Sequence, residues 1–151
     1  MSPRSRMNPI LGIDLGKVRI GLAISDELQL LAHPLETIPA GRNAPARIAE
    51  IVRQRNIENV VVGVPRRMSG EFGTEAKSAL DFAEKLRAML PCAVVTWDER
   101  LTTLAANRAL RDLGKNTRQS RQYVDQVAAQ IILQGYLDSR RQSAHAEDIP
   151  R

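Results

Sequence analysis

Cysteine is all but missing from this sequence. Cys92 stands alone among 151 residues, so no internal disulfide can form. A chain of this length hides roughly 70% of its surface on folding, enough core to need no covalent staple or structural metal. Aromatic side chains make up 3% of the residues, too few for the stacking platforms that hold splayed bases. Histidine occurs only at His33, beside Pro34, and at His145, near the C-terminus. That leaves neither a histidine acid–base pair nor a zinc site of Cys/His spacing. Long apolar runs are also absent. The stretch that follows the arginines of the first nine residues is broken by Asp14, which argues against a secretory signal or a membrane span and for a cytoplasmic protein.

What the chain has in quantity is arginine. Its 22 cations outnumber 17 acids for a net charge of +5, and all but four of those cations are arginine, whose planar fork grips phosphate with two bonds. A polyanion is the expected partner, against the competing reading that the arginines coat a solvated surface. With so few aromatics, recognition would rest on backbone and shape.

The apolar pattern begins at Ile10. Ile10 to Leu15 reads as a central strand covered on both sides, and Gly16-Lys17 turns it. Val18 to Ser25 separates its faces, with Val18, Ile20, Leu22 and Ile24 opposite the small, polar set Arg19, Gly21, Ala23 and Ser25. A third extended segment, about Leu28 to Ile38, contains Pro34, which places it at a sheet edge. The period then changes. A helix is predicted from Ala44 to Arg55, a short apolar strand from Val60 to Val64, and a helix capped by Thr74 and stopped by Pro91. A fifth strand follows over Ala93 to Trp97, then helices over Thr103 to Leu113 and Thr117 to Asp138. The expected fold class is α/β, a mixed five-stranded sheet with three antiparallel strands, then parallel ones, and helices on its faces. One domain is expected over 1–138, with 1–8 flexible and 139–151 a disordered polar tail.

Acids on apolar surfaces carry the chemical signal, because a buried carboxylate is costly unless paired. Asp14 ends the first strand between Gly12 and Gly16, which allow close backbone approach. The alternative is a carboxylate that merely closes the hairpin. Asp125 shares a helical stripe with Ala128, Ala129, Ile132 and Tyr136 and so points toward the sheet; a structural pairing with Arg121 or Arg19 competes. A third acid comes from Asp98-Glu99-Arg100. Adjacent strand residues face opposite ways, so one acid at most joins the site, and Glu99 is chosen over Asp98. Both could instead serve as acids at a helix start. Three carboxylates at one sheet edge suit hard dications, magnesium or manganese, and two such ions can activate water and stabilise the leaving oxygen of a phosphodiester.

The loop from Gly63 to Gly73 leaves a strand and reaches a helix N-terminus, where backbone amides favour phosphate. Arg66 and Arg67 add charge there, although the loop lacks the Lys-Ser/Thr ending of a P-loop.

Four blocks in order resemble the YqgF family of Holliday-junction-resolvase-like proteins, regarded as nucleases acting on the 5′ end of precursor 16S rRNA. They are Gly12-Ile13-Asp14-Leu15-Gly16 with Arg19-Ile20-Gly21-Leu22-Ala23 and Ser25-Asp26; Gly63-Val64-Pro65 with Met68, Gly70, Gly73 and Ala76; Asp98-Glu99-Arg100-Leu101-Thr102-Thr103; and Asp125 with Ala128-Ala129, Ile132-Leu133-Gln134 and Tyr136-Leu137. The resemblance implies a ribonuclease-H-like fold whose first and fourth strands lie side by side, with Asp14 and Asp125 matching the first-strand and final-helix acids. Many relatives with this fold carry an acid just after the fourth strand. Here that strand ends Gly63-Val64-Pro65-Arg66, so the role passes to Glu99 or to Glu71.

The leading functional expectation is a metal-dependent nuclease acting on structured precursor rRNA. Asp14, Glu99 and Asp125 would hold Mg2+ or Mn2+, and Arg19, Arg66, Arg67 and Arg100 would orient phosphates. A Holliday junction resolvase acting on branched DNA is the nearest alternative. It would need a dimer, whereas a monomer or weak homodimer is expected. An ATPase would need a second domain around the nucleotide. A non-catalytic RNA-binding assembly factor would keep the acids for folding alone.

Overall fold

The computed structural model describes residues 7–66, 69, 71–101 and 118–148, the side chains of 118–124 and 142–148 excepted. Strands β1 (Ile10–Leu15), β2 (Arg19–Ser25) and β3 (Ala32–Pro39) form an antiparallel meander. Helix α1 (Ala44–Arg55) leads to β4 (Asn59–Val64), and α2 (Thr74–Met89) leads to β5 (Ala93–Asp98). A 3-10 turn over Glu99–Leu101 follows, and the last helix, α3, spans Arg118–Asp148. The sheet order is β3-β2-β1-β4-β5, with β1 parallel to β4 and β4 parallel to β5. The mixed sheet, the β1–β4 adjacency and the edge position of β3 all match the sequence expectation.

Alternation along the strands sorts the core into two layers. Leu11, Ile13, Ile20, Leu22, Val60 and Val62 face α1 and α2 and pack with Ile48, Ile51, Ala79 and Leu86. Ile10, Ala23, Ala32 and Val61 face α3 and pack with Ala129, Ile132, Leu133 and Leu137. The small residues of β2 have their explanation here, because α3 lies close enough on that face to exclude larger ones. Two glutamines of α3 also serve the edge strand. Gln134 Oε1 accepts from the Ala32 amide at 2.9 Å, and Gln130 Nε2 donates to the Ala32 carbonyl at 2.9 Å.

Several boundaries differ from expectation for local reasons. Strand β3 begins at Ala32 rather than Leu28, because Asp26 Oδ1 accepts from the amides of Leu30 and Leu31 at 2.8 and 3.2 Å and holds that stretch in a turn. Val18 lies outside β2 and is exposed. Gly73, not Thr74, caps α2, and no side-chain cap bond forms there. Helix α3 continues past Asp138 to Asp148, since no glycine or proline intervenes before Pro150 and Arg141 pairs with Asp138 one turn back. The predicted helix over Thr103 to Leu113 and the phosphate-binding candidate Arg67 lie outside the described residues.

Candidate active site

Asp14 lies one residue short of the end of β1, and its neighbours on both adjoining strands are glycine. Gly21 is its registered partner on β2, while Gly63 follows Val62, the β4 partner of Ile13. A Cβ on Gly21 would stand 1.9 Å from the backbone oxygen of Asp125. One on Gly63 would stand 2.9 Å from Glu99 Oε2 and 2.6 Å from Ile132 Cδ1. These two glycines are therefore what lets α3 and the Glu99 side chain approach the level of Asp14. Asp14, Glu99 and Asp125 come from β1, the turn after β5 and α3 to the same end of the sheet.

Two of the three share a cleft among the described residues. Asp14 and Glu99 line a cleft of about 450 Å³ together with Lys17, Pro65, Thr74 and Glu75. Asp125 Oδ2 instead accepts from Arg19 Nε at 2.7 Å, the pairing that the sequence left open as a structural alternative. Among the described residues, no group of three or more His, Cys, Asp or Glu side chains stands close enough to hold a metal ion. Arg19, expected on phosphate, is engaged with Asp125 in this arrangement.

Asp98 takes a different part from Glu99. Its β4 partner is Val64, which belongs to the layer under α1 and α2, whereas Trp97 packs on the α3 side. Arg100 Nε reaches both Asp98 oxygens at 3.1 Å, and Arg100 Nη2 reaches Oδ2 at 2.7 Å. The Arg100 amide donates to Asp98 Oδ1 at 2.9 Å, which closes the 3-10 turn that carries Glu99. Arg66 Nη1 joins the same carboxylate at 3.4 Å. Hydrogen bonding from the Arg100 guanidinium holds the Asp98 carboxyl below its ordinary range, against the opposing effect of partial burial. Arg66 also stacks over the Phe72 ring, 4.3 Å from its centroid. Glu71, the other substitute for the missing acid, is exposed in the loop, its amide donating to Ser69 Oγ at 3.4 Å.

Sequence reasoning does not single out Lys17, Glu75 or Phe72. Lys17 and Glu75 had a readable signal in their positions, since the β1–β2 turn and the first turn of α2 both adjoin the strand ends that carry Asp14 and Pro65. Phe72 had none, because its contact with Arg66 depends on the loop path.

Residues 8–139 match the family described as "RuvX: Holliday junction resolvase". The chain belongs to the RuvX family. The YqgF resemblance of its motif blocks is to this same family. A RuvX relative from Nocardia farcinica, named "Putative pre-16S rRNA nuclease", is 51% identical over 139 residues, 86% of this chain and 77% of that one. One of the same name from Chloroflexus aggregans is 49% identical over 134 residues, 87% and 94% of the two chains. Among solved structures, Thermus thermophilus RuvC in complex with a Holliday junction substrate aligns with a TM-score of 0.54 at 17% identity, over 91% of this chain and 98% of that one. The fowlpox virus Holliday junction resolvase aligns with a TM-score of 0.51 at 15% identity, over 87% and 99%. At such identities the likeness establishes the fold, and this chain has the ribonuclease-H-like architecture of these resolvases.

Proposed function

We propose that this chain is a metal-dependent nuclease that hydrolyses phosphodiester bonds in structured precursor rRNA and trims the 5′ end of precursor 16S rRNA in the cytoplasm. The observation that carries the reading is the pairing of Asp14 with Glu99 in one cleft, Glu99 reaching its place only because residue 63 is glycine. The substrate class follows from relatives named for pre-16S rRNA at up to 51% identity.

The residues present fit magnesium or manganese in kind. Asp14 and Glu99 offer hard oxygen donors, and among the described residues no sulfur or imidazole lines their cleft. They would hold the ion, and Asp125 would join them on giving up Arg19. Bound there, one or two such ions would supply a water of lowered pKa and positive charge against the departing oxygen. The chain's own part is to place the phosphate: Lys17 lines the cleft, Arg66 lines its continuation past Pro65, and Arg100 stands beside Glu99. Released from Asp125, Arg19 would add a further phosphate contact at the β1–β2 turn.

The test compares magnesium-dependent cleavage of a ribosomal leader RNA and of a four-way DNA junction by the parent, Asp14→Asn and Asp125→Asn, prepared identically. Loss of at least a hundredfold in both variants, with RNA preferred over the junction, is the expected result. Equal rates in all three would leave a non-catalytic RNA-binding protein, and preference for the junction would make it a resolvase.

A further inference from the structure

Two arginines from different loops converge on one carboxylate at the rim of the cleft. We propose that Asp98 is a positioning residue that assembles Arg66 and Arg100 into a single fork for the phosphate backbone of the RNA. The proposal rests on the nuclease reading for its ligand alone. Arg66 arrives from the loop after β4 and Arg100 from the turn after β5, and their closest bonds to Asp98 Oδ2 are 3.4 and 2.7 Å. All three side chains stay partly open to solvent.

Each guanidinium carries five N–H donors in a rigid plane, and a single carboxylate cannot use both sets. Arg100 spends Nε and Nη2 on Asp98, and its Nη1 meets no described residue. Arg66 is steadied on its other side by the Phe72 ring. Arg100 therefore keeps a donor edge beside the cleft, and Arg66 is held next to it on the same carboxylate. Without the anion between them the two cations would repel and lose their common orientation. Because Asp98 Oδ1 also accepts the Arg100 amide, the same carboxylate fixes the fork relative to Glu99.

Charge arithmetic gives the experiment its sign. Asp98→Asn removes a negative charge next to two arginines, so simple attraction would tighten binding to any polyanion. The fork requires the opposite. A fluorescently labelled duplex RNA with a 5′ single-stranded extension is titrated by anisotropy at several KCl concentrations, without divalent ions, into Asp14→Asn protein with and without Asp98→Asn. Binding is expected to weaken about tenfold, with the slope of log K against log salt shallower by about one. Placed in an Arg100→Ala background, Asp98→Asn should then change binding by less than about twofold. In the cleaving parent, KM should rise by more than kcat falls. Arg100→Lys keeps the charge and loses the planar fork, so it should weaken binding similarly and serves if the Asp98 variant does not fold. Unchanged or tighter binding by Asp98→Asn, or an undiminished effect in the Arg100→Ala background, overturns the proposal. Failure of the nuclease reading would show elsewhere, as cleavage by Asp14→Asn at the parent rate.

Discussion

Arg19 and Asp125, 106 positions apart in the chain, meet through a 2.7 Å bond from Nε to Oδ2. Arg19 opens β2, and two residues later Gly21 receives the backbone of Asp125 so closely that no side chain would fit between them. The ion pair and the glycine together fasten α3 to the sheet.

Removing the guanidinium leaves a part-buried carboxylate without its cation. Side-chain exposures of 32% and 25% mean that water screens the pair substantially, so the loss for Arg19→Gln is set at about 1 kcal/mol. Arg19→Lys should recover only part of it, because an ammonium cannot reproduce the Nε geometry. Urea unfolding of the three proteins checks both statements, and a Lys variant as stable as the parent would show that charge alone matters.

The two glycines beside Asp14 should respond differently to alanine. At Gly21 the new methyl would meet backbone, the Asp125 carbonyl oxygen at 1.9 Å, so α3 must move as a body. At Gly63 it would meet the ends of two side chains, Glu99 and Ile132, which can rotate away. Gly21→Ala is expected to cost about 3 kcal/mol and Gly63→Ala about 1 kcal/mol. Cleavage should nonetheless fall sharply in Gly63→Ala, since Glu99 is the group displaced. The single tryptophan, Trp97, packs edge-on against Tyr136 of α3 at 6.2 Å, so its fluorescence should change in the Gly21 variant, where α3 moves; urea unfolding separates the two variants in stability.

The sheet was legible because strand alternation and Pro34 are local signals, and Gly12 and Gly16 were legible as marks of close approach, while Gly21 read only as part of a small, polar face. Asp14 could be placed from its strand end, whereas alternation allowed only one of Asp98 and Glu99 and left Glu71 as a substitute, so the cleft that Glu99 shares with Asp14 was not legible. The partner of Asp125 could not, since helix periodicity gives the face a carboxylate is on but not whether it meets Arg19 or an acid across the cleft. The Asp98 network was hidden for a similar reason. Arg66 and Arg100 are distant in sequence, and only the parallel pairing of β4 with β5 brings Val64 opposite Asp98 and the following arginines together. The start of β3 was misread because the apolar run Leu30-Leu31 outweighed the turn-forming role of Asp26.

The depressed Asp98 carboxyl predicts a pH signature in divalent-free buffer. A carboxylate whose folded value lies below its unfolded value of 3.8 contributes stability that is complete above the unfolded value and disappears as pH falls through the folded one. The gap in Tm between the parent and Asp98→Asn should therefore hold constant above about pH 5 and close progressively below about pH 4. Thermal melts from pH 3 to 7 measure it. A gap that widened on acidification would mean that the ion pairs to Arg100 and Arg66 do not form in solution.

Divalent ions should act on the fold as well as on cleavage. An ion bound by Asp14 and Glu99 binds the folded chain and not the unfolded one, so Tm must rise with its concentration, by about 2.7 kcal/mol of stability at a hundredfold excess over Kd. Chelation with EDTA should abolish cleavage and return Tm to its starting value while RNA binding persists, because Arg66, Arg100 and Lys17 need no metal to meet phosphate. Glu99→Gln and Asp14→Asn should each lose the manganese-dependent rise, whereas Asp98→Asn should keep it, since Asp98 serves arginines and not the ion. A rise of equal size in Glu99→Gln would move the third acid of the site elsewhere, with Glu75, which lines the same cleft, the next residue to change.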